Sequence, residues 1–423
     1  MVTNELAAGS AASPLQLARA RGRLGGRLIL LGPAFVAAVA YVDPGNFATN
    51  STAGARYGYL LVWVVVVANL MAMLVQTLTA KLGLATGRSL PELCREHLPR
   101  PVNRVMWVQA ELVAMATDLA EVIGGAVALY LLFGIPLLPG GVIIGVASFA
   151  ILALRARGFR AFEIVIACLL GVIVVAFAAN LLAAGSDVGS AAAGLVPRLQ
   201  GTDSVLLAAG ILGATVMPHV IYVHSALTRD RIPPTCDAER RTLFRGQRTD
   251  VLLALAAAGT VNLAMLLIAA ASFHRSDVPG TDTLDGVHAG LAQSVGTAAA
   301  LGFAIALLVS GLASTSVGTY AGEVIMQGFL RRRIPLLLRR LITLIPALAI
   351  LAFGLDPTTA LVLSQVVLSF GIPFALIPVV VFTRRRDLMG NLVNHPATTA
   401  AACAIAALVI ALNGFLLWQV ITG

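Results

Sequence analysis

Two short interruptions sit inside apolar stretches of this chain, Asp43-Pro44-Gly45-Asn46 and, far downstream, Met217-Pro218-His219. In hydrocarbon every backbone N–H and C=O must be satisfied. Non-helical backbone at membrane depth therefore survives only where it lines a cavity or is buried in protein. Broken helices at corresponding positions of two halves are the sequence pointer to a transporter's substrate site. Both breaks also carry side chains suited to a metal ion, which makes them the strongest constraint on the fold and its use.

Hydrophobic residues form 58% of the chain, charged residues 12%, and mean hydropathy is +0.90. A soluble domain carries about 25% charged residues, so the chain reads as an all-α polytopic membrane protein. Apolar windows fall near 28–55, 58–82, 103–131, 139–154, 160–184, 204–228, 250–273, 297–328, 336–354, 358–383 and 397–421. Each approaches the about 20 residues needed to cross the bilayer core, the window at 139–154 being short.

The formal charge of +9 invites a nucleic-acid reading, but no motif supports one and the distribution argues for topology. With Met1 in the cytoplasm, the tail and the cytoplasmic loops hold 26 of the 29 Lys and Arg residues; only Arg56, Arg198 and Arg275 fall on the other side. By the positive-inside rule the N-terminus is cytoplasmic and the C-terminus extracytoplasmic, in a multi-pass protein of the cell's inner (plasma) membrane. Arg19, Arg21, Arg23 and Arg27 precede an apolar run as in a signal peptide. That run continues into the first break without a small-residue cleavage site, so it reads as a retained helix. Cys94, Cys168, Cys236 and Cys403 are scattered and make no CxxC pair, which argues against a disulfide framework or zinc cluster.

The chain divides into a mobile cytoplasmic tail (1–27), a core of ten spans (28–383), and a cytoplasmic loop with a peripheral eleventh helix (384–423). The breaks fall in spans 1 and 6, and each opens a block of five spans, about 28–184 and 204–383. Five is odd, so the blocks have inverted topology and the two broken spans meet near the midplane.

At the first break, Asp43 and Asn46 are three apart and share a face where helix resumes. Pro44 lacks an amide proton and Gly45 tolerates unusual dihedrals, so the chain can unwind and release the Ala40 carbonyl. Asp43, Asn46 and that carbonyl can surround a cation. The plainer alternative is a proline kink with Asp43 capping the next half-helix. The second break supplies Met217 and the Ala214 carbonyl. Most buried methionines only fill space, but sulfur opposite an Asp/Asn pair favours Mn²⁺, Fe²⁺, Co²⁺ or Cd²⁺ over Mg²⁺ or Ca²⁺. His219 and, more weakly, His224 suit proton coupling or gating, against a structural hydrogen-bonding role.

Span 3 holds Glu111, Asp118 and Glu121 in apolar surroundings. Asp118 and Glu121 are at i and i+3, and Glu111 lies two turns earlier on the same stripe. Buried like charges need basic partners or protons, and Arg339 and Arg340 in span 9 are natural partners. Together they would form either a proton path or a static ion-pair network. Gln76, Asn262 and Gln365 are amides in spans 2, 7 and 10, where such groups usually bond neighbouring helices. Gly371-Ile372-Pro373 suggests a flexible point after Gln365, and Glu323 is expected to pair with Arg331, Arg332 or Arg333. P-loop, G-x-S-x-G and H-E-x-x-H motifs are absent, which leaves ATP hydrolysis and intramembrane proteolysis without a motif.

Through Asp43-Pro44-Gly45-Asn46, Met217-Pro218-His219, Ala116-Thr117-Asp118-Leu119-Ala120-Glu121-Val122-Ile123-Gly124-Gly125 and Ser364-Gln365, the chain resembles the Nramp family of divalent metal transporters, specifically its bacterial manganese-transporting branch. The resemblance covers essentially the whole chain. It implies a LeuT-like fold and proton-coupled uptake of Mn²⁺, with Fe²⁺, Co²⁺ and Cd²⁺ accepted. It also implies metal ligands at Asp43, Asn46 and Met217, carbonyls from Ala40 and Ala214, and Gln365 in some states. The implied proton route is Asp43, His219, Glu121, Asp118, Glu111, Arg339 and Arg340. Family relatives that carry magnesium or aluminium lack the methionine, which this sequence keeps. The expected partners are the metal ion, the proton and the lipid bilayer, with no resident cofactor and no protein partner legible. A metal-selective channel lined by the same ligands is the alternative; a membrane metalloenzyme would need a positioned general base that no motif supplies.

Overall fold

Long runs of Leu, Val, Ala and Ile, punctuated by proline and glycine, leave the backbone only its own carbonyls to bond within the bilayer, so they wind into helices. The computed structural model describes residues 32–153, 159–231, 237–274, 280, 282–332 and 335–422. The arginine-bearing tail 1–27, the start of the first span, Cys236, Arg275 and Arg333 lie outside the described residues.

In chain order the helices of eight residues or more are α1 (Pro33–Ala40), α2 (Pro44–Tyr57), α3 (Val62–Thr86), α4 (Leu90–His97), α5 (Arg100–Phe133), α6 (Leu137–Ala153), α7 (Phe159–Ala184), α8 (Gly201–Thr215), α9 (Pro218–Arg231), α10 (Asp237–Phe273), α11 (Leu284–Ser294), α12 (Thr297–Leu330), α13 (Leu336–Ala352), α14 (Pro357–Thr383) and α15 (Pro396–Thr422). No strand occurs among the described residues. Among the described residues eight helical stretches are long and apolar enough to cross a membrane; one of them, Pro44–Thr86, is α2 and α3 joined by the 3₁₀ turn Gly58–Leu61. Separating those two, and adding α6 and α13 at 17 residues each, gives the eleven passes expected.

The windows locate the passes but not every helix end. The seventh was expected over 250–273, whereas α10 starts at Asp237. Its first three turns are polar and extend beyond the apolar zone, where hydropathy carries no signal. α4 and α11 were not anticipated, being too short to span. α4 is anchored by a capping box in which the Ser89 N–H donates to Glu92 Oε2 at 2.7 Å.

α2 is the polar element at the centre of the bundle. Asn46, Thr49, Asn50, Ser51 and Thr52 are all buried. It lies against α10, α8 and α14, while α12 packs along α5 and α13 backs the outer face of α5. Phe47 anchors it edge-on to Phe177 and Phe303, at ring separations of 5.2 and 5.6 Å. The helix is held inside by these contacts and by internal hydrogen bonds such as Thr49 Oγ1 to the Gly45 carbonyl at 2.9 Å. α1 is tied at its other end by Asp250 of α10, whose carboxylate accepts from the Gly32 and Ala34 amides at 3.0 and 2.9 Å.

Candidate metal-ion site at the two helix breaks

Both breaks follow from one covalent fact. α1 ends at Ala40, four residues before Pro44, and Ala214 lies four residues before Pro218. Proline has no N–H, so neither alanine carbonyl can receive its usual helical bond. Pro44 and Pro218 then open α2 and α9, the position where proline suits a helix. Among the described residues no donor reaches the Ala40 carbonyl. The next two carbonyls are occupied: Asn262 Nδ2 donates to Tyr41 at 2.8 Å and Ser310 Oγ to Val42 at 2.5 Å.

Asp43 is fully buried and does cap α2, as the plainer reading expected. Its Oδ1 accepts from the Asn46 amide at 2.8 Å and from Asn46 Nδ2 at 2.9 Å. The cap uses one oxygen only, and Oδ2 has no hydrogen-bond partner. Asn46 Nδ2 also donates to the Ala214 carbonyl at 3.0 Å, so one amide joins the two breaks. With its donors spent, Asn46 retains an unpartnered Oδ1. Met217 is fully buried between Ala214 and Pro218. Gln365 of α14 closes the site from another side: its side chain fills the space a Cβ at position 45 would need, which explains the glycine. Its Nε2 donates to Ser364 Oγ at 3.2 Å and its Oε1 is free.

The two breaks thus bring together, in full burial, one carboxylate, two amide oxygens, an unbonded carbonyl and a thioether. Buried polar atoms are nearly always paired, so Asp43 Oδ2, Asn46 Oδ1 and Gln365 Oε1 together mark a place prepared for a ligand. Among the described residues no three His, Cys, Asp or Glu side chains gather. A cation here would therefore meet mixed oxygen and sulfur donors with a single negative charge.

His219 opens α9 beside Met217. The Thr117 hydroxyl lies 3.0 Å from the Val113 carbonyl and 3.1 Å from His219 Nδ1. Whether Nδ1 donates to or accepts from that hydroxyl depends on the ring's tautomer, and Nε2 has no partner. His224 is more remote from the break's donors. Its Nδ1 bonds Gln76 Oε1 at 2.7 Å, and Gln76 Nε2 donates to the Tyr41 hydroxyl at 2.6 Å.

The carboxylate stripe of α5 meets both arginines of α13. Arg339 forks onto Glu111 at 2.8 and 3.2 Å and also donates to the Gly322 carbonyl at 2.7 Å. Arg340 meets Asp118 at 2.7 Å in full burial. Glu121 differs: neither oxygen is paired with an arginine, the neighbouring Ser314 hydroxyl gives its proton to the Ser310 carbonyl at 2.8 Å rather than to Glu121, and Gly318 packs on it, where a larger residue would collide. Asp118, Arg340 and Asp43 all lie within electrostatic range of it. Glu323 accepts from Gln327 at 2.7 Å. Cys94, Cys168 and Cys403 are free thiols.

Sequence reasoning did not single out Thr117, Ser310 or Asn50. The last donates to Asn262 Oδ1 at 3.2 Å and steadies the amide on the Tyr41 carbonyl. A hydroxyl or amide within an apolar span was the available signal, but many such groups bond only their own helix. No spacing rule separates the two cases.

A helical bundle whose two interrupted passes meet at a closed set of cation-type ligands has the LeuT-like architecture, in which a substrate is held between inverted repeats. The chain belongs to the Nramp family, described as natural resistance-associated macrophage protein-like, which matches residues 34–419. It is 55% identical over 393 residues to the divalent metal cation transporter MntH of Bacillus subtilis, covering 93% of this chain and 92% of that one. To the protein of the same name from Deinococcus radiodurans it is 52% identical over 404 residues, covering 95% and 93%. Among solved structures, the Eremococcus coleocola manganese transporter in complex with an aromatic bis-isothiourea compound superposes with a TM-score of 0.83 at 33% identity, over 93% of this chain and 87% of that one. Mhp1, a nucleobase-cation-symport-1 family transporter, shares the fold at a TM-score of 0.62 and 14% identity.

Proposed function

We propose that this protein is a proton-coupled secondary transporter that imports divalent transition-metal ions by alternating access, Mn²⁺ foremost, with Fe²⁺, Co²⁺ and Cd²⁺ also carried. The observation that carries the reading is the meeting of the two breaks. Asn46 bridges Asp43 to the Ala214 carbonyl and leaves buried, unpartnered oxygens beside Met217. Asp43 would supply the charge, Asn46 and the Ala40 and Ala214 carbonyls neutral oxygens, Met217 the soft donor, and Gln365 a further oxygen. Curated relatives above half identity over nearly their whole length are named divalent metal cation transporters, which supports transport rather than enzymatic chemistry.

Asp43, Asn46, Met217 and Gln365 are all closed from solvent. Such closure suits a site reached alternately from each side better than a continuous pore. The coupling proton needs groups that gain and lose it between states. His219 with its free Nε2 and Glu121 with no donor stand nearest the breaks, and Asp118, Glu111, Arg340 and Arg339 continue from them along α5 and α13. The arginine-rich loops support an orientation with the N-terminus inside.

The test is Mn²⁺ uptake by purified protein in proteoliposomes with internal pH recorded. Uptake should saturate with Mn²⁺ and acidify the lumen. Asp43→Asn keeps the volume and removes the charge, so initial uptake should fall about 100-fold or more while the protein still inserts. Wild-type uptake by that variant would remove Asp43 from the site, and flux rising linearly with Mn²⁺ and independent of pH would favour a channel.

A further inference from the structure

The residues assigned so far lie in the ten-pass core, yet a buried amide of the eleventh pass reaches the same machinery. α15 is largely apolar and turns much of its surface outward, but Asn413 is buried against α14. Both ends of its amide go to one residue. Asn413 Nδ2 donates to the Ser369 carbonyl at 2.9 Å, and its Oδ1 lies 2.8 Å from Ser369 Oγ, whose one proton is shared between it and the Val366 carbonyl at 2.7 Å. The Ser369 carbonyl is available because the residue four ahead is Pro373, which lacks the N–H that would otherwise bond it. Asn413 thus supplies, from another helix, the donor that the proline withholds.

Ser369 lies one turn after Gln365 on α14. At the same turn the backbone of α8 at Gly213 packs on the Gln365 carbonyl and the Ser369 amide, with no room for a side chain between them. Two neighbours therefore bear on the turn that carries Gln365, α8 through Gly213 and α15 through Asn413. Without Asn413 the Ser369 carbonyl would be an unsatisfied acceptor in apolar surroundings, and α14 would relax at Pro373.

We infer that Asn413 is a positioning residue for the metal site, holding α14 at its proline flex point so that Gln365 stays over Gly45. The inference rests on the metal-transport reading given above.

The experiment measures KM and maximal rate for Mn²⁺ uptake in proteoliposomes for the wild type, Asn413→Leu, Asn413→Leu with Pro373→Ala, Gln365→Ala, and Asn413→Leu with Gln365→Ala. Leucine matches asparagine in branching and heavy-atom count, though it is bulkier, and removes both bonds. Intramembrane bonds of this kind each correspond to about threefold in an equilibrium, so Asn413→Leu should raise KM about three- to tenfold. Alanine at 373 restores an N–H for the Ser369 carbonyl and should return KM to within about twofold of wild type. In the Gln365→Ala background, Asn413→Leu should change KM by less than about twofold. An unchanged KM in Asn413→Leu, no recovery with Pro373→Ala, or a full effect without the Gln365 side chain would each reduce Asn413 to docking α15. If Asn413→Leu is not monodisperse, Asn413→Ser replaces it in the same comparisons. Absence of uptake by the wild type sinks the transport reading and this inference together, whereas wild-type uptake with any of the contrary results sinks the inference alone.

Discussion

At the scale of the residue, the proposed selectivity would turn on Met217. The pocket's other donors are oxygens, and oxygen shells are what Mg²⁺ and Ca²⁺ prefer. One thioether shifts the balance toward softer ions. Met217→Ala should keep Mn²⁺ uptake at reduced affinity, weaken Cd²⁺ uptake roughly tenfold, and let Ca²⁺ or Mg²⁺ compete. Competition assays read this directly, and unchanged discrimination between Cd²⁺ and Ca²⁺ would reduce Met217 to a packing residue. Asp43 illustrates a different point. Capping and ligation look like rival readings of one carboxylate, yet the geometry accommodates both, because Oδ1 takes the cap and Oδ2 remains free.

At the scale of the element, the short helices are held by side chains from their neighbours. Asp250 grips the start of α1 through two amides. At the arginine-rich end, α4 is fixed through Glu92, which takes part in the capping box and meets Arg229 of α9 at 2.6 Å. Partial burial pushes the Glu92 carboxyl up, but the Ser89 amide and the Arg229 charge outweigh it and hold the group below its ordinary range. A depressed pKa in the folded state means the stabilisation is full above the unfolded value, about 4.3, and fades as pH falls through the folded one. Glu92→Gln keeps the box and loses the ion pair, so at pH 7 opening of the Leu93 amide should become easier by about 0.5 kcal/mol. The difference should shrink as pH drops below about 4. Hydrogen exchange at that amide checks it, and a difference independent of pH would assign the effect to packing.

At the scale of the whole molecule, two passes meet at the ligands while α5 and α13 carry the remaining buried charge. Breaking one of the α5–α13 ion pairs would leave an uncompensated charge inside, which is costly. Glu121 stands apart because it lacks a donor, and coupling should depend on it most. Glu121→Gln should weaken lumen acidification more than Mn²⁺ affinity, measured as both fluxes in the same vesicles. A variant that loses affinity but keeps its proton-to-metal ratio would move Glu121 into the metal site; one that keeps both would leave it a structural carboxyl. Orientation is testable on cells. A cysteine replacing Arg198 should react with an impermeant maleimide from outside, and one replacing Thr242 should not. The reverse pattern would invert the topology.

The sequence by itself determined the number of passes, the two breaks and the donor types at them. Hydrocarbon imposes a nearly one-dimensional rule on the backbone, and a proline four residues after an alanine frees its carbonyl in any context. It also anticipated the pairing of Glu111 and Asp118 with Arg339 and Arg340, because buried charge must find its opposite. Tertiary structure alone decided that Asn46 would tie both breaks together, that Gln365 would lie on Gly45, and that Glu121 would be left without a partner. It also turned the eleventh helix, peripheral on paper, toward the core through Asn413. These are contacts between residues far apart in the chain, made by short polar side chains that could equally have bonded their own helix. Which partner each takes depends on how the helices pack, and no local pattern records that.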